Sequence, residues 1–309
     1  MGEDYYTVLA GGVGAAKFIQ GLVRVVDSSN IKIVINTGDD IELFGLRICP
    51  DIDIITYSIA EVVDKEKGWG FENETFNCLS ILKNYYDNEW FNLGDKDLAI
   101  HIYRTDLFRK GFTKAQITSD ICKKLGIKAK LIPMSDESVT TYIDTSLGKL
   151  HFEEYYIKHK CKPEILDISF NGSNKAKPVR GVIDYIKNAK KVIICPSNPI
   201  VSIGTILSVK EIKKTLISVK DKVYAISPII EGSTVKGPAN KMMDFFGYEV
   251  SSLGVAKFYK EIIGHFIIDR KDQSLKPQIE ELGIKTYCFD TLMTNIQKKE
   301  SLARDVINL

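Results

Sequence analysis

No segment of this 309-residue chain approaches the roughly 20 consecutive apolar residues that a membrane-spanning helix requires. Six cysteines, at positions 49, 78, 122, 161, 195 and 288, lie far apart and form no Cys-x-x-Cys pair. That spacing speaks against a disulfide framework or a zinc site and for reduced thiols in a cytosolic protein. An excess of one charge is also missing. Forty-two basic against 40 acidic side chains leave a net +2, so composition gives no sign of a nucleic-acid or membrane surface. Histidine is scarce, with four in all, and His151, His159 and His265 stand in no constellation. His101, followed three residues later by Arg104, offers a phosphate contact or a satisfied structural histidine. The N-terminal residues include Glu3 and Asp4 and no long apolar run, so no signal peptide is expected. A soluble, cytoplasmic protein is the expectation.

What is present suits an ordinary globular enzyme: 44% hydrophobic and 27% charged residues. Residues 5–10 read as a buried first strand, Gly11 to Gly14 as a turn, and Ala15 to about Val26 as a helix with apolar Phe18, Ile19, Leu22 and Val25 at helical spacing. Ile31–Ile35 is a second strand, almost wholly apolar, as expected of one covered on both faces. Helical periodicity in 59–64, 75–86 and 114–125 marks residues 54–126 as a helical insertion. Segments 128–133, 139–144, 149–152 and 165–170 alternate with period two and predict a small, partly antiparallel sheet within about 128–180. An α/β rhythm then returns. Strands are expected at 191–195, 222–226, 265–268 and 285–288, and helices at 180–188, 211–217, 236–246, 255–263 and 274–282. No linker or repeat interrupts the chain. The predicted architecture is one α/β domain over 1–309, a doubly wound, mostly parallel Rossmann-like sheet carrying those two additions.

Ligands of such sheets bind beyond the carboxyl ends of the strands, so the residues following each strand are the candidate site. The first strand opens into Gly11-Gly12-Val13-Gly14 and a helix bearing Lys17, where bare amides and a helix terminus suit a phosphate. A tight turn is the plainer reading of such glycines. Neither standard cofactor motif fits. Lys17 stands where a third dinucleotide-loop glycine would fall, Asn36 stands where a ribose-binding acid would, and the P-loop spacing is absent. The second strand ends in Asn36-Thr37-Gly38-Asp39-Asp40, a seat for a divalent cation or a helix or turn cap. In Pro50-Asp51-Ile52-Asp53, strand alternation places both carboxylates on one face, for base or metal work, unless the segment is a solvated edge. Pro196-Ser197-Asn198-Pro199, Ser227-Pro228-Ile229-Ile230, Lys236-Gly237-Pro238-Ala239 and Asp290-Thr291-Leu292-Met293-Thr294 follow the later strands. Trp69, Phe71, Trp90 and Phe91 sit in glycine-bearing loops and read as core or as the flat wall of a pocket.

Taken in order, these segments, together with Trp69-Gly70-Phe71-Glu72-Asn73-Glu74-Thr75-Phe76, Leu93-Gly94-Asp95-Lys96-Asp97 and Ile132-Pro133-Met134-Ser135-Asp136, resemble the 2-phospho-L-lactate transferase family of coenzyme F-420 biosynthesis over nearly the full length. The resemblance implies a Rossmann-like core, a Mg2+ requirement, and transfer of a phospholactyl group from lactyl-2-diphospho-5′-guanosine to the ribityl hydroxyl of the deazaflavin FO, releasing GMP. It implies Gly11, Gly12, Gly14, Lys17, Thr37, Ser197 and Asn198 at the guanosine diphosphate, and Asp39 and Asp40 at Mg2+, Asp40 thereby acting in catalysis. Asp53 would meet the deazaflavin and orient or deprotonate its hydroxyl. Trp69, Trp90 and Asn92 would border the heterocycle, Asn92 standing where relatives are expected to carry a basic residue. Expected partners are these small molecules, with no nucleic acid and no membrane, and a homodimer as the assembly. A related nucleotide-sugar-binding regulator of the gluconeogenesis-factor type shares such a core. Its Gly-Gly-Ser-Ser-Gly-Arg run after the acid pair is replaced here by Ile41-Glu42-Leu43-Phe44-Gly45-Leu46. An NAD-dependent oxidoreductase fails at Asn36.

Overall fold

A computed structural model describes residues 4–86, 90–234 and 238–309. The chain runs β1 (Tyr6–Ala10), α1 (Gly12–Val25), β2 (Ile31–Ile35), a hairpin of β3 (Ile41–Leu43) and β4 (Leu46–Ile48), α2 (Pro50–Ile59), α3 (Asn77–Leu82), α4 (Asp95–Arg109) and α5 (Lys114–Lys124). It continues through β5 (Lys130–Pro133), β6 (Thr140–Thr145), β7 (Gly148–His151), β8 (Ile165–Asn171), α6 (Val182–Asn188), β9 (Lys191–Ile194), α7 (Thr205–Ser208), α8 (Lys210–Ser218) and β10 (Val223–Ile226). The last part holds β11 (Ile229–Ile230), β12 (Ser233–Thr234), α9 (Ala239–Phe245), α10 (Ser252–Tyr259), β13 (His265–Asp269), α11 (Lys276–Glu280), β14 (Lys285–Phe289) and α12 (Ile296–Asn308).

Seven strands form one sheet in the order β14-β13-β10-β9-β1-β2-β5, and every pairing in it is parallel. Strands β1, β9 and β10 are buried along their whole length, which explains their continuous apolar runs. The chain builds outward from β1 to β2 and β5, then returns to add β9, β10, β13 and β14 on the other side. The order therefore reverses between β1 and β9. At that point the connections leave in opposite directions and open a crevice above the strand ends. One apolar cluster lies under each face of the sheet, the first around Leu9, Ile194 and Phe266 and the second around Val8, Phe18 and Ile193. The expected doubly wound α/β core is present.

Several local expectations change. Segment 128–133 does not belong to the small sheet: β5 is the parallel edge strand of the main one. The antiparallel sheet is β7-β6-β8 alone. Helix α2 ends at Ile59, and residues 60–64 turn back so that Val63 bridges Phe71, where a helix over 59–64 was expected. The expected helix over 274–282 is a 3-10 turn (270–275) followed by the short α11. Of the helix expected over 236–246, α9 is seen; Lys236 and Gly237 lie outside the described residues.

The largest correction concerns Pro50-Asp51-Ile52-Asp53. This is the first turn of a helix, with Pro50 at its first position and both acids where the positive terminus favours them. Two residues on a helix diverge by about 200°. Asp51 and Asp53 consequently point different ways, not to one face.

Candidate active site

Above the carboxyl ends of β1 and β9 lies a cavity of about 990 Å³, at the upper end of the range for small-molecule sites. Its floor is the turn after β1. Gly12 adopts φ +73°, and its N–H donates to Asp51 Oδ1 at 2.8 Å. A Cβ on Gly14 would stand 2.1 Å from the Pro196 carbonyl, so only glycine lets the loop after β1 pass the loop after β9. Gly11, Gly12, Gly14 and Lys17 all line the cavity, as do Ser197 and Asn198 from the β9 loop. Ser197 is buried with its hydroxyl unpartnered. Asn198 Oδ1 caps the next turn by accepting from Ile200 N–H at 3.0 Å, and its amide faces Met242 Sδ at 3.5 Å.

Three carboxylates meet this floor from three elements: Asp39 after β2, Asp51 on α2, and Glu153 after β7. All three are buried. Among the described residues none of them has a lysine, arginine or histidine within ion-pair distance. Asp39 Oδ1 has no hydrogen-bond partner at all. Burial raises the Asp39 pKa, and the charges of Asp51, Glu153 and Asp40 raise it further. Burial likewise pushes Asp51 up to about 7, although hydrogen bonds from Asn36 Nδ2 (2.9 Å) and Gly12 N–H oppose it. Glu153 rises to about 8 through burial and the nearby Asp51. Crowded, desolvated anions of this kind favour a cation or a proton among them.

The opposite wall is built from α2 and α4. Asp53 receives Arg104 in a two-pronged pair: Nη1 donates to Oδ2 at 3.0 Å, and Nη2 donates to Oδ1. Burial lifts the Asp53 carboxyl above its ordinary range, and the guanidinium only partly opposes this. Arg104 Nη1 also lies 3.0 Å from His101 Nδ1. His101 Nε2 stands 3.4 Å from Asp97 Oδ1 yet makes no hydrogen bond, and Tyr57 donates to the same oxygen at 2.6 Å. Donor atoms of Asp53, Asp97 and His101 all fall within 4.8 Å of one another. That geometry alone invites a metal, but Arg104 already supplies the positive charge, and a second cation beside it would be repelled. Trp69, Phe91 and Asn92 complete this end of the cavity.

Three sequence expectations are redrawn here. Asp39 lines the cavity and Asp40 does not. Asp40 ion-pairs with Lys114 at 2.5 Å and lies off the cavity lining. Thr37, buried with its hydroxyl unpartnered, is likewise not on the lining. Trp90 packs edge-to-face on Phe91, with ring centres 5.6 Å apart, against Leu43, Ile48 and Leu93, so it is core and not wall. Conversely, sequence reasoning passed over Glu153, Asp97 and Tyr57. His101 lines the cavity.

A family model described as 2-phospho-L-lactate transferase CofD matches residues 6–307. A 2-phospho-L-lactate transferase of Methanosarcina acetivorans is 36% identical over 302 residues, covering 98% of both chains. One from Methanocaldococcus jannaschii is 38% identical, covering 97% of this chain and 96% of its own. A phosphoenolpyruvate transferase of Streptomyces griseus is 35% identical, covering 98% and 97%. Among solved structures, a UPF0052-family protein from Bacillus halodurans superposes with a TM-score of 0.64 at 14% identity. It covers 99% of this chain and all of that one, and shows the shared fold alone.

Proposed function

Since this chain belongs to the 2-phospho-L-lactate transferase family and is a transferase, we propose that it moves the 2-phospholactyl group from lactyl-2-diphospho-5′-guanosine to the ribityl hydroxyl of FO (7,8-didemethyl-8-hydroxy-5-deazariboflavin), giving coenzyme F-420-0 and GMP in the cytoplasm. One observation carries this reading: the glycine turn, the β9 loop and three unpaired carboxylates share one cavity at the point where the strand order reverses. The turn and Ser197 face the diphosphate. The hydroxyl oxygen attacks the phosphorus bearing the lactyl group, the P–O bond to the bridging oxygen breaks, and GMP leaves with that oxygen. The hydroxyl proton passes to Glu153, a buried carboxylate on the same floor without a cationic partner among the described residues.

Mg2+ fits the floor and not the far wall. Asp39, with an orphaned buried oxygen, and Asp51 beside it would hold the ion, since Mg2+ takes one or two carboxylates and completes its shell with water and phosphate. Bound there, it would offset charge developing on the diphosphate. Asp53, occupied on both oxygens by Arg104, serves the acceptor by position and not as the base. Trp69 and Asn92 border the ring.

The acyl group of the donor is the finer question, because relatives at 35% and 36% identity carry names for two different donors. The deciding experiment incubates the protein with FO, Mg2+ and, separately, guanylylated phospholactate, phosphoenolpyruvate or phosphoglycerate. Mass spectrometry should find the phospholactyl deazaflavin and GMP. No phosphorylated deazaflavin from any donor, with tight binding of UDP-sugars instead, would replace the transferase by the regulator.

A further inference from the structure

The cavity lining carries a cation that the transfer chemistry above leaves unused. Among the described residues, the lysines on the lining are Lys17, Lys160, Lys162 and Lys241. The last three are exposed, and Lys241 spends its ammonium on the Cys161 carbonyl at 2.6 Å. Lys17 is half-buried, and among the described residues it has no ion pair and no side-chain hydrogen bond. Its charged surroundings do not neutralise it: burial first, and then the charges of Lys17 and Arg24, hold the Lys299 ammonium below the usual lysine range. A half-buried ammonium that faces a cavity without an anion is completed by an anionic ligand. Its place narrows which one. Lys17 lies one helical turn beyond Val13 on the same face of α1, and helical side chains lean back toward the N-terminus, here the glycine turn. The loop bearing Trp69 packs on that face, since a Cβ on Gly68 would stand 3.7 Å from Val13 Cγ1. Lys17 therefore stands between the turn and the Trp69 loop.

We infer that Lys17 is a substrate-binding residue that pairs with the carboxylate of the donor's acyl arm, and so selects an acid as the group transferred. The inference rests on the proposed transfer. In that reaction the phosphorus under attack lies where the acceptor hydroxyl meets the diphosphate, and the acyl arm hangs from that phosphorus. The donor brings two anionic parts. The turn, Ser197 and a bound Mg2+ would meet the diphosphate. The carboxylate cannot settle on the floor, where Asp39, Asp51 and Glu153 would repel it. Nor can it use Arg104, which lies off the lining and is taken by Asp53. Lys17 is the cation left at the junction. Phospholactate, phosphoenolpyruvate and phosphoglycerate all carry a carboxylate, so this contact admits each of them and excludes an arm without an acid.

Steady-state kinetics with paired donors test this. For wild type, the KM of guanylylated phospholactate should lie at least about ten-fold below that of its lactamide, in which the carboxylate is an uncharged amide. Lys17→Met should raise the KM of the acid donor about ten- to a hundred-fold, leave that of the amide, and so bring the two together. Lys17→Arg should recover most of the difference. The KM for FO and inhibition by GMP should stay as in wild type. So should inhibition by the methyl ester of GDP, which keeps the diphosphate and lacks the acyl arm. A merely structural role for Lys17 would move these together with the acid donor and keep the acid-to-amide ratio, and either result overturns the assignment. Loss of inhibition by the GDP methyl ester to the same extent would put Lys17 at a phosphate and overturn it too. Equal use of both donors by wild type would sink the inference without any variant. If wild type forms no product from any donor, the transferase reading fails instead; calorimetry of the acid and amide donors, wild type against Lys17→Met, then still decides whether the lysine reads the carboxylate.

Discussion

Two acidic regions face each other across one cavity, and they solve the burial of charge in opposite ways. On the α2–α4 wall, Asp53 is neutralised by Arg104, and Asp97 is held by Tyr57 and lies near His101. On the floor, Asp39, Asp51 and Glu153 are equally buried but among the described residues find only amides, one another, or nothing. Protein interiors do not tolerate unpaired carboxylates without a compensating cation or proton. The first region is finished as built and suits an uncharged ring. The second is incomplete and suits a metal and a polyanion, with a proton to exchange. Charge pairing thus divides one cavity into a neutralised end and an unneutralised one.

The comparison breaks most severely if the floor is altered. Asp39→Asn removes the orphaned oxygen assigned to Mg2+ and should lower turnover by about two to four orders of magnitude, shifting the Mg2+ titration to higher concentration. Near-normal turnover with an unchanged titration would move the metal elsewhere. The far wall should answer in stability. Arg104→Gln leaves Asp53 buried without its partner and should cost about 3–5 kcal/mol, read as a lower melting temperature. A melting temperature like that of wild type would mean that water reaches Asp53 and that the two regions are not distinct in this way.

How far the sequence carried this contrast depends on which signal each side chain leaves. The floor was legible where backbone geometry is written into composition: glycines after an apolar strand, and Thr37-Gly38-Asp39-Asp40 after another, both landed at the strand-order reversal. Asp39 could not be told from Asp40 because only folding turns one inward and pairs the other with Lys114. The wall was largely illegible. Helix α4 buries His101, Arg104 and Thr105, so it has no apolar stripe for a period of 3.6 to reveal. At α2 the signal is present: proline at the first position followed by two acids marks a helix start better than a strand. Helix α12, with Leu302, Ala303 and Val306 on its buried face, carries an ordinary amphipathic stripe. Glu153 is one glutamate beside another and leaves no motif.

A subtler distinction between the regions should show in pH. Asp51 and Glu153 hold protons to about 7 and about 8 when folded, whereas unfolded they release them near 4. Between roughly pH 4 and 8 the folded state therefore binds more protons, and the metal-free protein should lose stability as pH rises across the window. Mg2+ should flatten this slope by supplying the missing positive charge. Urea midpoints measured from pH 5 to 8 with and without Mg2+ test both statements. A metal-free stability that climbs with pH would show the floor to be paired like the wall.

The smallest expected effect concerns Trp69, which is 38% exposed at the wall's open edge and has Lys67 over its ring at 5.8 Å. A ring that stacks on a planar substrate contributes about 1–3 kcal/mol when the contact is closed, and less where water retains access to one face. Trp69→Ala should therefore raise the KM for the deazaflavin by about three- to ten-fold and leave turnover at saturation, the Mg2+ titration and the donor KM as they were. Because Trp69 contributes no charge, the variant changes the wall's shape without touching its ion pair. A matching fall in turnover would mean that the ring also positions the hydroxyl over the floor, joining the two ends that charge pairing separates.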